Sequence, residues 1–313
     1  MAYANLRSGG FTLRWRLSIA SVIGNEVETQ LLAEVSGPAA EVVELMESAL
    51  RAGIVVNSPS GRPRYRFSHA LVREALYQDL PAKRRNQLHA EIGQAIEAVH
   101  ERNLEPHMAA LANHYRMAGA AADAQKTIDY SIRAGRAAYG VFAYEEAGAH
   151  WRAALELMDE QGGGDRKRRA ELLWLLGDQL VSGSAKAVEY LEAAALLFEE
   201  LGDSQASCDV HTRTGMYLMA RDVLAMDVRQ ARATLHFKKA EAFLATQPES
   251  ERHALFYFSL LNNCMAAVRI SDGLAAAKRA MEISERLDQL YHETCIGPML
   301  RSLDPFFSSV LGR

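Results

Sequence analysis

Cysteine is scarce in this 313-residue sequence: Cys208, Cys264 and Cys295 are the only three. An odd number at wide spacing, with no C-x-x-C, fits a reduced, cytoplasmic setting better than a disulfide framework. No apolar run approaches the ~18 residues that a membrane-spanning helix needs. No tract is of low complexity, so a folded chain is expected. Positive charge is not in excess: the net charge is −4, which gives no general pull toward nucleic acid or anionic lipid. Catalytic signatures are missing too. There is no G-x-x-x-x-G-K-[ST], no G-x-S-x-G and no H-E-x-x-H. "QGGGDRKRR" is the nearest Gly-rich basic stretch, but it lacks the spacing and the Ser/Thr of a phosphate loop, and it reads as a solvated connection. Glu145 and Glu146 are adjacent, so a helix points them to different faces. The chain is expected not to be an enzyme.

What is present is helix. "RWRLSIASVIG" puts Arg14 and Arg16 before a short apolar run, which imitates a signal peptide. The run is short and has no A-x-A site, so it reads as a first core helix. Val27 to Val35 reads as a second helix. "AAEVVELMESALRAG" carries Val42, Val43, Met46, Ala49 and Leu50 at helical spacing, with Pro38 at its start and Gly53 as its cap. "IVVN" and "RYRF", joined by "SPSGRP", read as one β-hairpin. Three helices followed by a hairpin is a winged-helix arrangement. Past Phe67 the pattern is helical throughout. Leu88, Ile92, Ala95, Ile96 and Val99 form an amphipathic stripe.

The chain then repeats. A small residue, a large one four positions on and an Ala three further recur as Ala147/Trp151/Ala154, Ala187/Leu191/Ala194, Ala233/Phe237/Ala240 and Gly273/Ala277/Ala280, in steps of 40, 46 and 40 residues. Ala124/Ile128/Ser131 is a poorer, earlier member. Small residues let paired helices approach, and the large one fills the gap between them. A period of this length with two helices per unit predicts a solenoid. The fold class expected is all-α, with a helical-hairpin solenoid after a small winged-helix domain. The divisions expected are a tail at 1–10, the winged helix at 11–81 and the solenoid at 82–313.

"ASVIGNEV", "LRAGIVV", "YRFSHALVREALYQDL" and "RRNQLHAEIGQAIEA" resemble the arm segment of bacterial STAND-class signalling ATPases. "ANHYRMAG" and "YEEAGAHWRAALEL" resemble the first tetratricopeptide-like sensor repeats of the same group. The resemblance covers about residues 17 to 160 closely, and the remainder only as repeat architecture. It implies a sensor and arm that take up a protein or small-molecule inducer and relay it to a transcriptional or cyclase output. It also implies a nucleotide-binding module upstream, which this chain does not carry. ATP or ADP is therefore expected only in an assembly joined to such a module, with no cofactor in the chain itself. "GPMLRSLDPFFSSVLGR" shows no basic helix-turn-helix. By the same resemblance His69, at a strand-to-helix joint, would reach a phosphate of the module's nucleotide, with Arg66 and Arg73 adding charge. The plainer reading of His69 is a helix cap.

Lys83, Arg84 and Arg85 sit at a helix N-terminus, the end that repels cations, and could meet an acidic partner or simply face solvent. Trp151 and Trp174 could line a solenoid face that takes a peptide or protein, or could pack in the core. DNA binding through the third helix is disfavoured. Glu41, Glu44 and Glu47 stand there against Arg51 alone, although Arg62, Arg64 and Arg66 line the hairpin. Cys208/His211 and His292/Cys295 have metal-ligand spacing but lie about two repeats apart. A stand-alone repeat scaffold is the alternative reading, and a DNA-binding regulator a second.

Overall fold

The structure is a computed structural model, and it describes residues 11–58, 64–179, 185–219 and 225–288. The expected tail at 1–10, Arg62, His292, Cys295 and the C-terminal "GPMLRSLDPFFSSVLGR" lie outside the described residues. Contacts divide the chain into two units, Met1–Leu157 and Met158–Arg313.

The first unit begins with α1 (Phe11–Ile23), β1 (Glu26–Glu28), α2 (Thr29–Ser36), α3 (Ala39–Arg51), β2 (Val55–Asn57) and β3 (Arg64–Phe67). The expected hairpin is present as β2–β3, with Val55 opposite Phe67. A third strand joins it: the antiparallel sheet runs β1-β3-β2. This corrects the reading of Val27–Val35 as one helix. Val27 is fully buried, while Glu26 and Glu28 flank it on the other face of β1. Three residues are too few for alternation to show in sequence, and the pairing of Glu28 with Arg64 is made by the sheet. α3 starts after Pro38 and ends where Gly53, at φ +70°, turns the chain so that Ile54 N donates to Ala49 O at 2.9 Å. Val43, expected on the apolar face of α3, is 41% exposed.

α4 (Ala70–Gln78), α5 (Ala82–Val99), α6 (Met108–Ala118), α7 (Ala124–Gly140) and α8 (Tyr144–Glu160) follow, with α8 crossing the unit boundary. One apolar cluster runs from Leu17 through Met46, Phe67, Leu88 and Ile92 to Tyr115 and Ala134. α5 to α7 thus bury their faces in the same core as the sheet and α1 to α3.

The second unit is α9 (Arg166–Gln179), α10 (Ala185–Glu200), α11 (Ser204–Met219), α12 (Met226–Leu244), α13 (Glu251–Ala266) and α14 (Ile270–Asp288). α9 packs on α10, α11 on α12 and α13 on α14. α10 then packs on α11, and α11 on α13. Each hairpin touches its neighbours, which makes this an all-α helical solenoid. The small–large–Ala stripes are its interior: Ala187, Leu191, Ala194, Ala233 and Ala240 are fully buried. What faces the large residue is a glycine on the preceding helix. A Cβ on Gly177 would lie 2.5 Å from Leu191, and one on Gly215 would lie 2.8 Å from the Phe237 ring. The first unit uses the same contact twice, Gly93 against Tyr115 and Gly135 against Trp151. Ala124/Ile128/Ser131 accordingly lies on α7, the first helix of the hairpin whose second helix carries Ala147. It is not a separate repeat.

Candidate functional site

His69 occupies the residue before α4 and is exposed, and its side chain makes no capping hydrogen bond. Arg66 is exposed on β3, opposite Glu26 of β1 and Val56 of β2. Arg73 turns back instead. Its Nη1 donates to Ser21 O at 3.3 Å and its Nη2 stands 3.7 Å from Glu74. His69 and Arg66 are therefore free at the surface, whereas Arg73 is bound to the end of α1.

The basic cluster mostly serves the fold. Arg84 donates to Glu91 at 2.8 Å and lies over the Trp15 ring at 5.0 Å. Arg85 donates to Gln78 Oε1 at 2.9 Å and covers Tyr77 at 5.1 Å. Both are half-buried and fasten α5 to α1 and α4; Lys83 is exposed. Trp151 is corrected. It is 1% exposed, and its Nε1 donates to Ile132 O at 3.2 Å, so no part of the ring is offered to a partner. Trp174 is half-buried, edge-on to Phe198 at 6.1 Å.

The exposed face of α3 carries Glu41, Glu44 and Glu47 with Arg51, as the sequence reading had it. The basic run at the start of α9 is internally paired: Arg166 with Glu200, Lys167 with Asp203 and Arg169 with Asp159. Cys208 and His211 do not converge. The Cys208 thiol donates to Ala240 O at 3.7 Å, and burial pushes its pKa up to about 11. Among the described residues no three His, Cys, Asp or Glu side chains are grouped to hold a metal ion.

The sequence reading missed a polar cavity. About 780 Å³ in volume, it lies in the first unit between β1, β3, the ends of α1 and α5, and α6. This is the size of a small-molecule site. Glu26 and Glu28 reach it from one face of β1, being two apart on a strand. Arg64 Nη2 donates to Glu28 at 3.1 Å, and its Nη1 lies 3.8 Å from Glu26. Ser58 Oγ donates to Glu26 at 3.1 Å. His100 Nε2 is 3.7 Å from Glu28, and the His100 ring stacks on His107 with centroids 3.7 Å apart. Carboxylates, a guanidinium and stacked imidazoles around an apolar floor of Ile23, Leu31 and Ile96 suit a small polar ligand with an apolar part. The one usable signal was E-V-E, which is legible as an edge strand only once β3 is beside it.

Two buried histidine pairs complete the inventory. His89 on α5 and His114 on α6 meet Nδ1 to Nδ1 at 2.9 Å, 25 positions apart. His211 on α11 and His236 on α12 meet in the same way at 2.8 Å, also 25 apart. The ring centroids are 5.1 and 5.0 Å apart, tilted 45° and 49°. Burial, with Arg85 adding, pushes His89 down to about 4; burial, with His89 adding, pushes His114 down to about 4. His211 is also pushed down, by burial first, against the upward pull of Glu199.

The sequence matches no family model and no curated protein. Among solved structures the chain is similar to the crystal structure of the signal transduction ATPase with numerous domains (STAND) protein with a tetratricopeptide repeat sensor from Pyrococcus horikoshii. The identity is 12% and the TM-score 0.38, over 94% of this chain and 47% of that one, so the chain spans about half the length of that protein.

Proposed function

We propose that this chain is a non-enzymatic sensing and relay module of a STAND-type signalling protein. Residues 11–81 act as a winged-helix arm, and residues 82–313 as a tetratricopeptide-like array. The helix–strand–helix–helix–strand–strand order of α1 to β3 supports the arm. The observation that carries the reading is the repeated glycine-against-large-residue contact, which closes one hairpin after another, with each hairpin of the second unit packed on the next. Such an array can change curvature in small steps, so a ligand that favours one curvature shifts the population. The inducer would be a small molecule in the cavity beside β1 or a protein on the repeats, with Trp174 and Lys83 as contact residues. The output would be transcriptional or cyclase control in the cytoplasm. His69 and Arg66, both at the surface, would meet nucleotide phosphate only in an assembly with an ATPase module. No cofactor is assigned to the chain itself.

The test is a thermal-shift screen of small amines, carboxylates and phosphorylated metabolites on the purified chain, followed by X-ray scattering with each compound that binds. A sensor changes its scattering profile on binding. Compounds that bind with an unchanged profile would leave the stand-alone scaffold as the better description. Substituting Glu28→Gln should weaken any compound that binds beside β1.

A further inference from the structure

The two histidine pairs share one geometry, yet their hydrogen bonds need different numbers of protons. In the first unit, Tyr77 OH is 3.1 Å from His89 Nε2, His89 Nδ1 is 2.9 Å from His114 Nδ1, and His114 hydrogen-bonds the Ile23 backbone. Each of these three contacts takes one proton. The Tyr77 hydroxyl and two neutral imidazoles bring three. The chain closes with Tyr77 donating to His89, His89 to His114 and His114 to the Ile23 carbonyl, and with no net charge.

The second unit ends in carboxylates. His211 Nε2 is 2.8 Å from Glu199 Oε1, the two Nδ1 atoms are 2.8 Å apart, and His236 Nε2 is 3.4 Å from Glu192 Oε1. Three contacts again need three protons, but ionised carboxylates bring none and two neutral imidazoles bring two. With only two, either the ring lone pairs face each other or one faces a carboxylate.

We propose that the Glu199–His211–His236–Glu192 chain is a proton-binding site that holds one captured proton between the rings. Its carboxylates come from α10 and its imidazoles from α11 and α12, so the proton joins one hairpin of the solenoid to the next. Each carboxylate of the chain has a cation beside it. Lys239 of α12 donates to Glu199 at 2.6 Å, and Arg232 of α12 donates to Glu192 through Nε at 3.2 Å. On α11, Asp209 is taken by Arg252 of α13, Arg213 pairs with Asp178 of α9 at 2.8 Å, and the Cys208 thiol stays protonated. Lys239 and Arg232 thus spend these donors on the carboxylates and not on the rings. Burial pushes His211 down, with His236 and Lys239 adding, and Glu199 pulls it up; the shared proton is held against that burial by the three hydrogen bonds, and it belongs to the pair and not to either ring.

The sign follows. A pair that takes its first proton more readily than a free imidazole stabilises the fold fully below the unfolded value of 6.5, and loses that contribution as the pH rises through the raised value. The seam between α10 and the α11–α12 hairpin therefore loosens on the alkaline side.

The experiment is a pH titration of the full chain carrying ¹⁵N-histidine, followed by long-range ¹H–¹⁵N spectra. His236→Gln assigns the pair. The expected result is that at pH 7 both Nε2 atoms of His211 and His236 carry a proton and the two Nδ1 atoms share one, each reading midway between a protonated and an unprotonated nitrogen, with an apparent pKa for the pair above 6.5. In His236→Gln the single remaining ring should titrate below that value. Two unprotonated nitrogens in the pair at pH 7, or an apparent pKa at or below 6.5, overturns the proposal. If His236→Gln does not fold, Glu192→Gln keeps both rings and should lower the pair's proton affinity, and an unchanged affinity there also overturns it. The His89/His114 pair serves as the internal control and stays neutral over the same range.

Discussion

At the residue scale the chemistry of His89 and His114 runs opposite to that of the second pair. Both are held near 4, below the 6.5 of a free imidazole, so the unfolded chain binds more protons between those values. Stability from this pair is complete above 6.5 and falls as the pH drops toward 4. Each ring contributes about 1.4 kcal/mol per pH unit over that window. Urea unfolding of the first unit at pH 7 and pH 5, followed through α5 and α6 by hydrogen exchange, should show the loss, and a flat profile would refute it. The glycines that face large residues are equally testable. Gly215→Ala puts a methyl 2.8 Å from the buried Phe237 ring, where overpacking costs about 1–3 kcal/mol despite the better helix propensity of Ala. Trp151→Ala removes a fully buried indole at a cost of about 3–5 kcal/mol, which is what a core residue predicts and a surface contact does not.

At the element scale α3 is the helix that would read DNA if residues 11–81 are a winged-helix arm, as proposed, but its outer face holds Glu41, Glu44 and Glu47. Electrophoretic mobility assays on mixed-sequence duplex at low salt should show no shift, because like charge removes the phosphate attraction that underlies even non-specific binding. The hairpin turns hold a different tension. Phe142 between α7 and α8 has φ +63°, Val268 between α13 and α14 has φ +59°, and both are 77% exposed. Neither a bulky nor a β-branched side chain favours that region. Phe142→Asn and Val268→Asn should therefore each raise the midpoint of thermal unfolding, by an amount that corresponds to about 1 kcal/mol. Sequence periodicity found nearly every long helix, because a stripe repeated over three or more turns is redundant. It failed at β1, where three residues carry no redundancy, and it took the α7 stripe for a separate repeat because both helices of a hairpin have small residues at this spacing.

At the scale of the whole molecule the consequence of stacking by neighbour contact is local coupling. Leu191→Ala, in the interior of the α9–α10 hairpin, should raise hydrogen exchange in α9, α10 and α11 well above any change in α14, since each hairpin senses only those beside it. Uniform loss of protection across the second unit would mean that it opens as one cooperative block.

The sequence by itself determined the class of this protein. Helical periodicity, small residues at a fixed repeat and the scarcity of cysteine and catalytic motifs depend on local spacing and composition, and these are readable along the chain. Only the tertiary structure decided where polar groups meet. Glu28 and Arg64 are 36 positions apart, His89 and His114 25, and His211 and Glu199 belong to different hairpins. A hydrogen-bonded chain has no period, so neither the cavity nor the two proton inventories leaves a trace until the helices are packed.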